Sequence, residues 1–342
     1  LLPNSLRGGC IKLIYKKKNA RNDLKNWRPI SLLNVDFKIL SKTLFFQLRP
    51  VVSTVIESEQ TCGVPGRKIS DNLCLVRDLL FYVKDRGLPL CLLNLDQEKA
   101  FDRLNHSFIF KVLLHMNFGP KFRSWLHLLY TDCYSTVMVN GTLTDSFPIL
   151  SGVRQGCPLS PLLFILTIEP FLATLRADHL IKGVPVPGGM GCCATTSAYM
   201  DDISVFCSDN ISIRQVLWYC SRFYFASSSR INPAKSECLY VNWKEEKMDW
   251  GLKVVQDRIK LLGLFFGEGG SLQSWSESMT KVKQKIAFWS LRSLTMSGTI
   301  LVAKTEFLAS LLYVAIVFPI PRNCLTLIQR WVFQFIWGGK QE

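Results

Sequence analysis

Two adjacent carboxylates near the middle of the chain carry the strongest chemical signal. Asp201 and Asp202 follow the small-residue run 192–198 and precede the apolar, β-branched run 203–206. Two strand-like segments joined through acids predict a β-hairpin with carboxylates at its tip. Because Mg²⁺ prefers oxygen ligands and keeps open positions for phosphates, such a tip suits a hard divalent cation. A polar turn that binds no metal is the competing interpretation.

A third acid strengthens the metal interpretation. The apolar run 90–95 predicts a strand, and this run ends at Asp96. A strand that ends in Asp, beside a hairpin tipped with Asp201 and Asp202, would gather three carboxylates at one edge of a sheet. Two-metal phosphoryl transfer needs such a set, because it uses two ions about 3.5–4 Å apart. The alternative for Asp96 is the N-cap of a following helix, which needs no metal.

Length and charge indicate a large protein with basic ends. The chain has 342 residues, 48% of them hydrophobic, which suffices for two or three domains with a packed core. The net charge of +15 lies in residues 1–50, at +9, and in residues 281–342, at +6. Basic ends around a neutral middle predict that a polyanion is bound from two sides. A basic soluble surface without a nucleic-acid role is the alternative.

Cysteine spacing and hydropathy bear on metal type and compartment. The 12 cysteines show no C-x-x-C spacing and the four histidines show no ligand spacing, so we expect no zinc site. Scattered cysteines without a signal peptide favour a reducing compartment, nuclear or cytoplasmic, and not secretion. The longest uncharged apolar stretch, 307–320, is too short to span a bilayer, so we expect a buried helix and no membrane partner. The chain begins without Met and ends abruptly, and we expect it to be a piece of something longer.

Local patterns predict the elements that position the three acids. Strands are predicted at 10–15, 89–96, 238–241 and 259–263, and a further hairpin is predicted to turn at Asn140-Gly141. Helices are predicted at 35–49, 106–116, 120–130, 162–175 and 210–226 and over most of 276–341, where Trp289 and Trp331 occupy core positions. We therefore predict an α+β fold: an antiparallel sheet with helices on one face, between a basic N-terminal part and a basic helical C-terminal part.

Six motifs, in this order, resemble the reverse transcriptase of LINE-type, non-LTR retrotransposons. They are Lys16–Lys18 with Trp27–Leu33, Asp96–Asp102, Ser151–Pro161, Tyr199–Asp202, Asn232 with Lys235, and Leu261–Gly263. The resemblance covers nearly the whole chain and implies a right-hand polymerase, with fingers at 1–88, palm at 89–275 and a truncated helical thumb at 276–342. It implies an RNA-directed DNA polymerase that extends a DNA primer with dNTPs on an RNA template, during target-primed copying in the parent element.

The resemblance also implies roles for the acidic and basic motif residues. Asp96, Asp201 and Asp202 match catalytic acids that hold two Mg²⁺ ions, with Mn²⁺ as a substitute, and the backbone carbonyl of Gln97 is expected to join them. Arg28 and one lysine of 16–18, with Lys17 favoured, match residues that clamp the incoming triphosphate. For the lysines, a solvated loop is the alternative.

Further motif residues match positions around the incoming nucleotide. Phe101 matches a steric gate against a 2′-hydroxyl, and its alternative is a core side chain. Gln155 matches a residue that packs on the nucleotide, and Gly152 and Gly156 are expected to let the backbone approach closely. Lys235 matches a lysine near the pyrophosphate, a candidate general acid whose alternative is a solvated turn residue.

One departure and two rival functions stay open. Ser228–Ser229 stand where the family usually has Gly and Leu, so the local geometry before Lys235 is expected to differ. The first rival is a catalytically inactive, transposon-derived protein that binds nucleic acid. The second is an RNA-dependent RNA polymerase, against which Phe101 argues because ribonucleotide users need a smaller or polar residue there. The sequence makes no prediction of oligomeric state.

Overall fold

A computed structural model of the chain describes residues 2–16, 20–189 and 191–338. Its helices are α1 (Asn4–Arg7), α2 (Val35–Val55), α3 (Ile69–Arg86), α4 (Ala100–Arg103), α5 (His106–His115), α6 (Pro120–Tyr130), α7 (Ser160–Ala177), α8 (Asn210–Ser227), α9 (Gly270–Trp289), α10 (Met296–Val302), α11 (Ala309–Ala315) and α12 (Arg322–Ile336). A 3₁₀ turn covers Leu24–Asn26, and a π-helical segment, Ala303–Leu308, joins α10 to α11.

The strands are β1 (Gly8–Tyr15), β2 (Trp27–Leu33), β3 (Leu90–Leu95), β4 (Tyr134–Val139), β5 (Thr142–Leu143), β6 (Phe147–Pro148), β7 (Val184–Pro185), β8 (Cys193–Ala194), β9 (Thr196–Tyr199), β10 (Asp202–Cys207), β11 (Glu237–Val241), β12 (Lys253–Val255), β13 (Arg258–Leu261) and β14 (Leu264–Gly267). The mixture of helices and antiparallel strands confirms the predicted α+β class.

The chain forms two compact units. The first comprises residues 1–69, 90–236 and 245–253, and the second comprises residues 70–89, 237–244 and 254–342. All three acids of interest lie in the first unit. The division into fingers, palm and thumb stays a prediction, because these units group residues by packing and not by function.

An N-terminal sheet in the first unit follows the order β2-β1-β4-β5, with β6 also paired to β4. β1 runs antiparallel to β2, with Cys10 opposite Leu32, and parallel to β4, with Cys10 opposite Thr136. The predicted hairpin turn at Asn140-Gly141 is present between β4 and β5. Both turn residues have positive φ angles, 50° and 86°, which a two-residue turn of type I′ requires and which Asn and Gly adopt most readily.

The central strands of the first unit are β9, β10 and β3, paired in that order and antiparallel. β3 is apolar along most of its length because nearly all of its side chains are buried. Helix α7 is buried on nearly all sides, and Pro161 stands in its first turn, where the missing N–H leaves no hydrogen bond unmade. The predicted hairpin is therefore correct: Met200 and Asp201 form the turn, and Asp202 begins β10.

The second unit contains α3, the β13–β14 hairpin and the four C-terminal helices. Its core includes Trp275, which is fully buried and whose indole N–H donates to the carbonyl of Pro319 at 3.1 Å. Trp289 and Trp331, predicted as core residues, are only half-buried. On α12, Ile328 alone is buried among the described residues, so most of that helix surface is open.

Two helices are long and apolar enough to cross a membrane by length and composition, α7 and the helical run Met296–Ala315. α7 is a core helix. The second run begins at Met296, before the helix predicted at 307–320, and most of its residues are not buried. The prediction of a buried helix there was wrong in part: Phe307, Leu311 and Val314 are buried, whereas Leu312 and Ile316 face solvent.

Candidate active site

The strand register brings the three acids to one end of the central sheet. Ile203 of β10 lies opposite Leu95 of β3, so the next residues along the ladder, Asp202 and Asp96, leave the sheet at the same end. Asp201 occupies the turn between β9 and β10. The sequence predicted this gathering from the strand end and the hairpin tip. The catalytic role of the acids stays a prediction.

Burial and mutual repulsion oppose ionisation of these acids. Burial raises the pKa of Asp96, and the charges of Lys235 and Lys16 partly offset it. Burial also raises the pKa of Asp201, with a further increase from Asp96. Burial and then the charges of Asp201 and Asp96 raise the pKa of Asp202 to about 6. Asp202 keeps one side open to solvent, so water screens part of this effect.

The acid cluster fits a divalent cation by charge and donor type. Within residues 2–16, 20–189 and 191–338, no Lys or Arg side chain forms an ion pair with Asp96, Asp201 or Asp202. Within the same ranges, no group of three His, Cys, Asp or Glu side chains converges on one point as a ready ligand set. Three hard oxygen donors whose negative charges repel one another nevertheless offer a site that positive charge would stabilise.

Three cations face the acids. Lys16, at the end of β1, Arg28, on β2, and Lys235 are all exposed. Partial burial, then the charges of Lys235 and Arg28, lower the pKa of Lys16, so the three positive charges lie close enough to repel one another. The Lys16 ammonium donates to the carbonyl of Lys25 at 3.0 Å. Lys17, the lysine favoured from the sequence, lies outside the described residues, and Lys16 is the lysine that the structure brings to this cluster.

Backbone hydrogen bonds fasten the Lys235 segment to the end of β3. The N–H of Asp96 donates to Ser236 Oγ at 3.0 Å, and the N–H of Asn232 donates to the Asp96 carbonyl at 2.8 Å. Ser236 Oγ in turn donates to the Asn232 carbonyl at 2.8 Å. These bonds place Lys235 beside Asp96, although the two are 139 positions apart in the sequence.

The structure explains how Ser228–Ser229 replace the Gly and Leu that the family usually has at these positions. Ser228 ends α8 with a φ angle of 65°, the left-handed conformation that Gly adopts without strain. Ser229 Oγ donates to Gln97 Oε1 at 2.8 Å, and both residues are buried. The serines thus keep the backbone path expected for Gly and fix the side chain of Gln97. The predicted role of the Gln97 carbonyl stays a prediction.

Phe101 is neither a fully buried core residue nor a free surface residue. It lies on the short helix α4 and is half-buried. Its ring stacks on Phe164 of α7, with ring centroids 4.8 Å apart and planes 7° apart. Because Phe164 is fully buried, this stacking holds the Phe101 ring against the core. The role of Phe101 as a steric gate stays a prediction.

The loop 151–158 packs against β2 and α4. Gln155 Nε2 donates to Asp102 Oδ1 at 3.1 Å, and its carbonyl accepts from the N–H of Ser31 at 2.7 Å. A Cβ atom on Gly152 would overlap the Phe101 carbonyl, and one on Gly156 would overlap the Ser31 carbonyl. The close backbone approach predicted for these glycines is therefore an approach to the protein's own backbone.

Two residues of the site were missed from the sequence. Asp102 orients the amide of Gln155, and its signal was present, because it ends the same motif that begins at Asp96. Gln60 contacts the backbone of the hairpin turn at Met200. No spacing or composition pointed to Gln60, since it lies 140 residues away from its partner.

Comparisons with known proteins identify the family of the chain. The family described as "Reverse transcriptase (RNA-dependent DNA polymerase)" matches residues 15–266. The Xenopus laevis protein "Transposon TX1 uncharacterized 149 kDa protein" is 34% identical over 99% of this chain and 26% of its own length. The Pol polyprotein of the type-2 retrotransposable element R2DM from Drosophila melanogaster is 27% identical over 63% of this chain and 20% of its own length. The chain thus spans 26% of the length of the first relative and 20% of the length of the second.

Solved structures show the same fold at low sequence identity. Telomerase from Candida tropicalis, in complex with a TWJ fragment of telomeric RNA, aligns over 97% of this chain and 58% of its own, with a TM-score of 0.54 and 12% identity. The RNA-dependent RNA polymerase of a human picobirnavirus, as a loop-deletion mutant, aligns over 97% of this chain and 59% of its own, with a TM-score of 0.56 and 11% identity. The fold is that of a mixed α+β polymerase, and the chain belongs to the reverse transcriptase family, related to proteins of non-LTR retrotransposons.

Proposed function

We propose that this chain is an RNA-directed DNA polymerase that extends a DNA 3′ end with dNTPs on an RNA template. The observation that carries the proposal is the register of β3 and β10, which gathers Asp96, Asp201 and Asp202 at one sheet end, opposite three cations. Acids on one side and cations on the other suit a substrate that carries a triphosphate and needs divalent metal.

The acids would hold two Mg²⁺ or Mn²⁺ ions, together with the backbone carbonyl of Gln97. Bound there, the ions would supply the positive charge that activates the primer 3′-hydroxyl and stabilises the leaving pyrophosphate. The raised pKa values of the acids favour this proposal, because bound cations would reverse the repulsion that raises them.

The cations and the motif loop would hold the nucleotide. Arg28 would contact phosphate oxygens with its planar guanidinium, and Lys16 would add a point charge, in the role first given to Lys17. Lys235, beside Asp96, would protonate the departing pyrophosphate. Phe101 would exclude a 2′-hydroxyl by volume, and Gln155, oriented by Asp102, would pack on the nucleotide.

The charge distribution supports a nucleic-acid partner. The two basic ends carry the whole net charge of +15, so we propose that both contact template–primer phosphates. In the parent element, the reaction would be target-primed copying of element RNA. We also propose a reducing compartment, nuclear or cytoplasmic, because the 12 cysteines are scattered along the sequence without paired spacing. An expected signature is affinity that falls with salt at a log–log slope of roughly −0.7 to −0.9 per phosphate contacted.

The experiment is primer extension with the purified chain. A DNA primer annealed to an RNA template is incubated with Mg²⁺ and either dNTPs or rNTPs. We expect extension with dNTPs, extension at least about tenfold weaker with rNTPs, and extension with dNTPs at least about a thousandfold weaker in Asp201→Asn. Extension that prefers rNTPs would identify an RNA polymerase. Template–primer binding without extension by the folded wild-type chain would identify an inactive nucleic-acid-binding protein.

A further inference from the structure

The turn that carries Asp201 has an unusual backbone conformation. Met200 has a φ angle of 59°, as the first central residue of a two-residue hairpin turn requires. Gly, Asn and Asp adopt such angles at low cost, whereas for Met the left-handed conformation costs about 1–2 kcal/mol. Contacts from outside the hairpin are therefore needed to hold Met200 in this conformation.

Gln60 supplies those contacts. Its Oε1 accepts a hydrogen bond from the N–H of Met200 at 3.0 Å, and its Nε2 donates to the carbonyl of the same residue at 3.3 Å. The same Oε1 accepts from the N–H of Cys62 at 3.1 Å. Gln60 is fully buried, so water does not compete for these bonds. One amide thus brackets the peptide groups on both sides of Met200.

The segment that carries Gln60 is itself held firmly. It lies parallel to β9: the N–H of Ala198 donates to the Glu59 carbonyl at 2.9 Å, and the N–H of Thr61 donates to the Ala198 carbonyl at 3.1 Å. The guanidinium of Arg67 donates to the carbonyls of Ile56, at 2.7 Å, and of Gln60, at 2.8 Å.

An ion-pair bridge adds a second anchor. Arg176 of α7 contacts Glu59 at 3.5 Å and Glu169 at 2.6 Å, and the Glu169 carboxylate is almost fully buried. Since α7 is the most buried helix of this unit, Gln60 extends from a rigid support and not from a free loop. A rigid support is what a residue needs if it is to fix the position of another group.

We propose that Gln60 is a positioning residue for the polymerase reaction. By fixing Met200, it fixes Asp201, the next residue, relative to Asp96 on β3. Catalytic groups need placement within about 0.5 Å, so a small shift of this turn would weaken metal binding while leaving the fold and the nucleic-acid surface intact. The proposal rests on the proposed function, because it assigns a role within that reaction.

The test uses Gln60→Asn, which keeps an amide but is one methylene too short to bracket Met200, and Gln60→Met, which keeps the length without hydrogen bonds. Gln215→Met is the matched control, because it makes the same substitution at a glutamine of helix α8, away from the hairpin turn. Gln215 donates one side-chain hydrogen bond, to the Asp178 carboxylate at 2.7 Å. Three quantities are measured: the Mg²⁺ concentration for half-maximal extension, template–primer affinity, and amide hydrogen exchange of residues 196–203.

We expect both Gln60 variants to raise the half-maximal Mg²⁺ concentration roughly tenfold or more. Amide hydrogen exchange in the turn becomes faster, and template–primer affinity stays within about twofold of the wild-type value. The control changes none of the three. Adding Met200→Gly to Gln60→Asn returns the Mg²⁺ requirement toward the wild-type value, because Gly adopts positive φ without strain. A purely structural role for Gln60 predicts no such rescue. If one variant does not fold, the other still gives the measurement.

The outcomes separate this inference from the function on which it rests. An active wild-type chain with an unchanged Mg²⁺ requirement and unchanged turn exchange in the Gln60 variants overturns the inference and leaves the function standing. An inactive wild-type chain overturns the proposed function, and exchange alone then decides whether Gln60 holds the turn.

Discussion

The two sides of the candidate site are built differently. On the acidic side, each carboxylate belongs to a strand end or a tight turn whose backbone is hydrogen-bonded: Asp96 to Ser236 and Asn232, and the turn before Asp202 to Gln60. On the cationic side, the side chains are exposed. Within the ranges that the structure describes, the side chains of Arg28 and Lys235 have no hydrogen-bond or ion-pair partner, and the Lys16 side chain has one backbone acceptor.

The difference suggests a division of labour. On the proposed function, the groups that would hold two small ions at fixed distances are attached to rigid elements, where repositioning costs free energy. The groups that would contact a flexible triphosphate extend from the surface, where they would adjust as the substrate binds. On this hypothesis, changes on the acidic side lower kcat, and changes on the cationic side mainly raise KM for the nucleotide.

The largest expected effect comes from the acidic side. Asp201→Asn keeps the shape of the side chain and removes its charge, so we expect extension to fall at least about a thousandfold, roughly 4 kcal/mol of activation free energy. Circular dichroism and thermal unfolding check that the fold persists. Asp249→Asn, in the irregular segment after β11, is the control. Near wild-type extension by Asp201→Asn in Mg²⁺ would remove Asp201 from the site.

Phe101, on α4, belongs to neither side, and we expect an effect on selectivity when it is changed. Phe101→Ala and Phe101→Val open the space next to the nucleotide sugar, so rNTP use rises by roughly 10–200-fold relative to dNTP use. Phe101→Tyr keeps the volume and the stacking on Phe164, and retains selectivity. Competition between labelled rNTP and dNTP gives the ratio. An unchanged ratio in Phe101→Ala would identify Phe101 as a packing residue.

The sequence predicted the acidic side better than the cationic side, for a physical reason. A buried strand that ends in Asp, and a hairpin whose tip is Asp-Asp, are local patterns, and antiparallel pairing brings such ends together. The predicted strands, the Asn140-Gly141 turn and α5, α6 and α8 were located within a few residues for the same reason. The choice of Lys17 had no such basis, since three successive lysines carry equal charge and only the fold selects among them.

Local sequence patterns do not predict hydrogen bonds between residues that are far apart in the chain. Gln60 and Met200 are 140 residues apart, and a lone Gln in a polar stretch has no periodicity that predicts its partner. Ser228 illustrates the reverse case. From sequence it stood out as a departure from the family, but its φ angle of 65° shows that Ser adopts the conformation for which Gly is usual.

A smaller effect is expected on the cationic side. Arg28→Ala removes the exposed guanidinium that faces Asp201, and we expect KM for dNTP to rise about tenfold with kcat nearly unchanged. Arg28→Lys gives an intermediate KM, because an ammonium does not make bidentate contacts. Lys12→Ala, at an exposed position of the neighbouring strand β1, is the matched control. A fall in kcat with constant KM would contradict the division of labour.

The smallest expected effect is on stability and follows from the repulsion among the acids. The pKa of Asp202 is raised to about 6 from an ordinary value of 3.8, so the folded state binds more protons than the unfolded state between these values. Stability is therefore lost as pH rises through this window, and the loss is nearly complete at about pH 7. Asp202→Asn removes the group that causes this loss. Without divalent metal, we expect the free energy of unfolding of the variant to exceed that of the wild type by about 1 kcal/mol above about pH 7, after screening by water, and to match it near about pH 4.

Urea unfolding in EDTA from pH 4 to 8 measures this difference in the free energy of unfolding. Asp178→Asn is the control, for which we expect a difference of the opposite sign. A backbone hydrogen bond from Leu180, together with bonds from Gln215 and Tyr219, lowers the pKa of Asp178, so its charged form stabilises the fold and its removal costs stability above pH 4. Mg²⁺ should then stabilise the wild type more than Asp202→Asn, because only the wild type has the full set of repelling carboxylates for the cation to neutralise. Equal Mg²⁺ stabilisation of the two proteins would show that the acidic side is strained for some reason other than metal binding.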